Sequence, residues 1–256
     1  MTDIIANVFL FLTAEYFLMS FIIFGYIWLD RDVFLQALKI MLIGMIVNTA
    51  LKVTFQVPLA SFLNKEGYAF PSGHMQLAGT FFGWLAFSFR SIWLRVLVGI
   101  ALIGIGMGLV HFGYHNYHDV IAAMFIAALL IYIYNQLLTK HRHVVTPITL
   151  IFTSILVAYI CYRFKQTPAH IWMAYYSLIG LVIGEKLCKK NYMNHGWCRK
   201  VLNTTLCVFI LAITTMVFSR HNFTNVPGYI LDIKSLLIGI GMPFLATKSP
   251  QKQDKI

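Results

Sequence analysis

The sequence predicts an all-α, polytopic helical membrane protein, and three observations carry that expectation. Hydrophobic residues make up 59% of the chain and charged residues only 11%, with a mean hydropathy of +0.74. A water-soluble globule has too little interior for so much apolar surface. The apolar residues also fall in long runs, each close to the ~20 residues that a helix needs to cross a bilayer. Between the runs lie short polar or basic turns, with no soluble domain, low-complexity tract or flexible linker.

Taken in order, the runs lie at 4–28, 34–53, 73–90, 92–111, 119–138, 147–162, 170–186, 201–219 and 228–246, which predicts about nine transmembrane helices. The first lacks a basic leading region, carries Glu15 in its middle and is long, so it is expected to stay as a helix and not to be removed as a signal peptide. Glu15 itself is expected either to face a cavity or to bond to a neighbour such as Asn48. Within 92–111, Gly104 and Gly108 have small-xxx-small spacing, which lets another helix approach closely. Loops this short leave no room for independent domains. The expected division is therefore a catalytic membrane core over 1–140 and additional helices over 147–246, within one polytopic unit. Cys161, Cys188, Cys198 and Cys207 have no paired metal-ligand spacing and read as reduced thiols.

The net charge of +11 would suggest nucleic acid in a soluble protein, but here its distribution sets topology. Arg31, Arg90, Arg95, Lys140 and Arg142, the lysine-rich 186–200 segment and the terminal lysines fall on one side. The other side holds Lys65, Arg163, Lys165 and Arg220, with Lys52 at its boundary. The positive-inside rule then places the amino terminus outside and the carboxyl terminus in the cytoplasm, in a plasma or inner membrane. No nucleic-acid partner is expected; the bilayer and a membrane lipid are.

Two stretches at the outward rim carry the candidate chemistry. In Pro71-Ser72-Gly73-His74, proline blocks extension of the loop into helix, Ser72 is a preferred N-cap, and an apolar helix follows. The first-turn amides of such a helix suit phosphate oxygens, and Gly73 lets an anion approach the backbone. The second stretch runs through His111, His115, His118 and Asp119. On a helix, residues four apart share a face, so Asp119 can fix the tautomer of His115 and leave its other nitrogen free to attack. Both elements lie on the same side by helix counting.

These residues resemble the type-2 phosphatidic acid phosphatase and vanadium haloperoxidase superfamily. Its pattern has three parts: lysine, six residues, Arg-Pro; Pro-Ser-Gly-His; and Ser-Arg, five residues, histidine, three residues, aspartate. Lys52 matches the first lysine, residues 71–74 match the second part, and His115 and Asp119 match the third. The resemblance covers roughly residues 34–138 and implies a phosphatidic acid phosphatase-like helical core. It also implies catalysis by His115 as nucleophile, Asp119 as its orienter and His74 as the acid on the leaving oxygen. Lys52, Ser72 and Gly73 would hold the phosphate, with neither metal nor cofactor.

The departures from the pattern are specific. Leu59-Ala60 stands in the Arg-Pro position and Gly108-Leu109 in the Ser-Arg position, so both phosphate-clamping arginines are absent. Losing one donor to a developing oxyanion can cost about 3 to 4 kcal/mol. Lys65, His111 or His118 is expected to compensate, or the substrate carries less charge. The sphingomyelin synthase group of lipid phosphotransferases is similar to this chain in keeping both histidines and the aspartate without the arginine ahead of the nucleophile. The sequence therefore points to a lipid phosphatase acting on a phosphatidic acid-like or polyprenyl diphosphate-like lipid. A head-group phosphotransferase acting on a phosphodiester, or a lipid-binding or transport protein that has lost turnover, are the alternatives. The lipid's identity and the oligomeric state are left open.

Overall fold

The computed structural model describes residues 1–59, 67–164, 167–188, 197–198, 200–207, 209 and 228–245, excluding the side chains of 228–231 and 245. Among the described residues the protein is all-helical, with one isolated bridge between Pro58 and Tyr68. The helices are α1 (Asp3–Phe11), α2 (Glu15–Phe24, continued by a π-helical turn, Gly25–Leu29), α3 (Arg31–Phe55), α4 (Gly73–Ser88), α5 (Ile92–His111), α6 (Tyr117–Lys140), α7 (Val145–Arg163), α8 (Ala169–Cys188) and α9 (Gly228–Gly241, followed by a 3-10 turn at Met242–Leu245).

Among the described residues five helices, α3 and α5 to α8, are long and apolar enough to cross a membrane, as in an integral membrane protein. The count reaches six if α1 and α2 form one span, bent by 46° at their break. The expected nine are not confirmed among the described residues. The expected single span 4–28 is broken at Leu12–Ala14, where Ala14 is extended and the Thr13 hydroxyl donates to Leu10 O at 2.7 Å. Helix α4 has 16 residues, or about 24 Å at 1.5 Å per residue, short of the ~30 Å hydrocarbon core. Helix α9 has 14 residues, and most of the expected 201–219 span lies outside the described residues.

Helix α3 is the axis of the bundle. Phe34, Leu35, Ile40 and Ile46 are buried on different sides of it, and α4, α7 and α8 pack around it. An apolar surface on all sides needs partners on all sides. Its N-cap is Asp30, whose carboxylate accepts from Val33 N at 3.0 Å.

Glycines set the seams that bring the two motifs together. A Cβ at Gly79 of α4 would stand 2.9 Å from Ala127 Cβ of α6, and one at Gly83 would stand 2.9 Å from the Ile131 side chain. Without those side chains α4 and α6 approach backbone to backbone, as small-xxx-small seams allow. Gly104 and Gly108 act likewise between α5 and α1: a Cβ at Gly104 would enter the Phe9 ring, and one at Gly108 would come within 3.3 Å of Ala6 O. The packing expected of this glycine pair is thus observed, and it holds the α1–α2 break near the C-terminal end of α5.

Candidate active site

Each candidate residue is placed by a local device. Ser72 caps α4, its hydroxyl accepting from Met75 N at 3.5 Å and its own amide donating to Asp119 O at 3.2 Å. That backbone bond joins the two motifs directly. Helix α5 ends in a Schellman turn: Gly113 adopts φ 67°, its N–H reaches Val110 O at 2.9 Å, and Tyr114 N reaches Leu109 O at 3.0 Å. Glycine alone takes this left-handed conformation without cost. The turn leaves His115 just beyond the helix end and Asp119 in the first turn of α6. There the Asp119 carboxylate accepts from Asn116 N at 3.0 Å, one arm of a capping box.

Lys52 lies on the Asn48 face of α3, one turn farther along. The Asn48 side-chain amide donates to Pro71 O at 3.2 Å and to Gln76 Oε1 at 2.9 Å, and the Gln76 amide donates to Gly44 O at 3.0 Å. This buried network fixes the start of α4 against α3, its side-chain amide donors paired with carbonyl oxygens as burial requires. Asn48 therefore bonds to α4 and not to Glu15.

His74, Gly73, His115 and Lys52 line one cavity of about 680 Å³. Lys52 Nζ donates to Tyr68 O at 2.8 Å, and no carboxylate among the described residues forms a salt bridge with it, so it brings a cationic group to the wall. The His115 and Asp119 side chains are only 8% and 7% exposed, and His115 Nδ1 stands 3.5 Å from Asp119 Oδ2. That distance exceeds a formed hydrogen bond, and Nδ1 is a buried nitrogen without a hydrogen-bond partner among the described residues. The contact is electrostatic. It turns Nδ1 toward the carboxylate and leaves Nε2 as the nitrogen available for chemistry. Burial, then the Lys52 charge, hold the His115 imidazole below its ordinary pKa, against the opposing pull of Asp119. A neutral imidazole with a free lone pair is the form that can attack phosphorus.

A second cavity of about 610 Å³ adjoins the first and is lined mainly by apolar residues, among them Leu18, Met19, Met41, Leu42, Leu109 and Met173. Thr13, Met45, His74, Leu77 and His170 belong to both walls and form the neck between them. Glu15 lies on the wall of the apolar chamber. A third cavity, of about 660 Å³, surrounds the Lys39–Glu185 ion pair at the other end of the bundle and contains none of the candidate residues.

The structure therefore brings together Lys52, Gly73, His74 and His115 on the cavity wall, with Asp119 directly behind His115. It buries Ser72 fully, with its hydroxyl and amide bonded inside the protein and neither on the wall. Of the expected compensators, His111 is ion-paired to Asp3 at 2.7 Å, His118 is exposed on α6, and neither lines the cavity. Lys65 lies outside the described residues. The positions where the family pattern has arginine do face the cavities, but as Leu59 in the first and Leu109 in the second.

Sequence reasoning found no chemistry beyond residue 147, yet Phe164, Pro168 and His170 line the polar cavity. The missed signal for His170 was available: it is a polar residue at the water edge of an apolar run, the same criterion that singled out the motifs.

Fold and site together define a helical membrane protein with a chamber rimmed by imidazoles and a lysine, opening onto a more apolar one. Residues 33–143 match the family model described as PAP2 superfamily, in line with the resemblance of its motifs to the type-2 phosphatidic acid phosphatase superfamily. This match supports a phosphatase or phosphotransferase type of activity. Comparison with curated proteins and with solved structures gives no match.

Proposed function

We propose that the protein is a metal-independent membrane enzyme that cleaves or transfers the phosphate of a lipid through a phosphohistidine on His115. The observation that carries this reading is the neck: His74 belongs to both the polar and the apolar chamber, which is where the bond between a phosphate and its lipid would lie. The lipid tail occupies the apolar chamber and the phosphate the polar one, among Lys52 and the first-turn amides of α4 at Gly73 and His74. Ser72 acts by capping that turn and not by touching phosphate.

In the first step His115 Nε2 bonds to phosphorus while the bond from phosphorus to the lipid oxygen breaks, and His74 gives its proton to that oxygen. Asp119 stabilises the imidazole as it becomes cationic. In the second step His74 takes a proton from water or from a second lipid hydroxyl, whose oxygen attacks phosphorus and releases His115. With positive-inside topology this site faces the extracytoplasmic side, the amino terminus is outside and the carboxyl terminus is cytoplasmic. Residues 1–140 supply the motifs and the later helices complete the wall.

A second reading is favoured by the single lysine: a phosphodiester carries less charge than a monoester or diphosphate and needs fewer donors, which suits head-group transfer. Purified protein in detergent, incubated with phosphate-labelled phosphatidic acid, polyprenyl diphosphate or diester lipid and quenched in alkali, should carry label on histidine. His115→Ala should abolish that label, and His74→Ala should slow its formation. Turnover in His115→Ala equal to wild type would end the proposal, and absence of label with tight lipid binding would favour a protein that binds without turnover.

A further inference from the structure

We propose that His170 is a phosphate-contacting residue of this site, supplied by α8 at the neck between the two chambers. The inference rests on the reading above and names a donor that stands in place of the missing guanidinium groups.

A phosphoryl group in transfer spreads negative charge over three oxygens and needs several donors. Most polar groups on the wall are already spent. The Thr13 hydroxyl donates to Leu10 O, both side-chain donors of Asn48 go to Pro71 O and Gln76 Oε1, and the Thr49 hydroxyl donates to Met45 O at 3.2 Å. One of the three Lys52 protons goes to Tyr68 O, and the Ser72 amide goes to Asp119 O. His115 attacks and His74 serves the leaving oxygen. Outside the motifs, the wall's remaining side-chain donors among the described residues are the His170 imidazole and the Tyr68 hydroxyl.

Geometry selects His170. It shares the neck with His74, and its surface opens to the cavities. Its ring is also held: Thr49 Oγ1, whose proton points to Met45 O, stands 3.4 Å from His170 Nε2 and can accept its N–H. With Nε2–H turned to Thr49, uptake of one proton as the anionic phosphate binds puts a hydrogen on Nδ1, which then donates to a phosphate oxygen. His170 thus gives the additional helices a part in the chemistry.

The test is binding of orthovanadate and of inorganic phosphate to the full-length protein in detergent, by calorimetry, alongside alkaline-quench trapping of phosphohistidine. Removing one charge-assisted hydrogen bond predicts about 10- to 100-fold weaker binding in His170→Ala. His170→Arg, which keeps a charged donor, should bind nearly as wild type, and added imidazole should restore part of the affinity of His170→Ala, which a purely structural role would not permit. Tyr68→Phe should bind as wild type. Unchanged anion affinity in His170→Ala, or loss in Tyr68→Phe with His170→Ala intact, would overturn the assignment. So would equal loss in His170→Ala and His170→Arg with no imidazole rescue. If those results come with phosphohistidine still formed on His115, only the His170 assignment fails. A wild-type protein that binds neither anion and forms no phosphohistidine overturns both readings.

Discussion

Replacing Asp119 with asparagine isolates the electrostatic part of the His115 arrangement. The side-chain oxygen of asparagine can still accept from Asn116 N, so the capping arm is retained and the stability change should stay near the few tenths to ~1 kcal/mol of a weakened cap. The negative charge is lost. In the phosphohistidine step the imidazole becomes cationic 3.5 Å from that carboxylate, with both side chains more than nine-tenths buried. A unit charge pair at this separation is worth about 5 kcal/mol at an effective dielectric of about 20. The amide dipole of asparagine returns part of this, so the expected loss is about 10²- to 10³-fold in the rate of phosphohistidine formation, at 1.36 kcal/mol per tenfold. Rapid-quench kinetics with labelled lipid measures that rate, and thermal unfolding in the same detergent checks that the helix cap survives. A variant that melts as wild type and forms phosphohistidine at the wild-type rate would refute the claim that the carboxylate acts on His115.

Two more outcomes follow from the same coordinates. Because the His115 pKa is held below its ordinary value by burial and by Lys52, the neutral nucleophile persists into mildly acid solution, and phosphohistidine formation should fall only as pH drops through that lowered value. Lys52→Met removes a lowering influence and should move the acid limb to higher pH; Asp119→Asn removes a raising one and should move it to lower pH. Single-turnover pH profiles read both shifts, and shifts of the opposite sign would contradict the assigned causes. In packing, Gly79→Ala forces a Cβ to within 2.9 Å of Ala127 and should destabilise by about 1 to 3 kcal/mol, whereas Gly99→Ala, with nothing within 4 Å, should be neutral or stabilising by up to about 1 kcal/mol. Thermal midpoints in detergent compare the two directly.

Much of the architecture was legible because its signals are local. The expected run 92–111 coincides with α5, and those at 73–90, 119–138, 147–162 and 170–186 match α4, α6, α7 and α8 to within about two residues. Caps explain that agreement: Ser72 and Ser91 begin their helices by accepting an amide, and Gly113 ends α5 by a turn that glycine tolerates. The break at Thr13 was not legible. No proline or glycine marks it, and it depends on a hydroxyl bonding back to Leu10 O, which threonine also does within unbroken helices such as α7 at Thr149 and Thr153.

The site divides in the same way. His74, His115, Asp119 and Lys52 could be read together because each stands in a spaced motif, although His115 lies in the turn before α6 and meets Asp119 through that turn and not along a helix face. What the motifs could not say is how their donors are used. Ser72 looks like a phosphate donor in sequence, yet its amide is occupied by Asp119 O, a bond between residues far apart in the chain that exists only because Gly79 and Gly83 let α4 and α6 close together. The same reasoning explains why His111 and His118 do not reach the cavity while His170 does. His111 and His118 are near His115 in sequence, but the Schellman turn at Gly113 sends the chain past His115 with His111 toward Asp3 and His118 to the exterior. His170 is distant in sequence but lies at the start of α8, which packs against α3 beside Thr49. A site built at the neck of a helical bundle recruits whichever side chain the packing delivers there, so a charge lost from a motif can be replaced from a helix outside it.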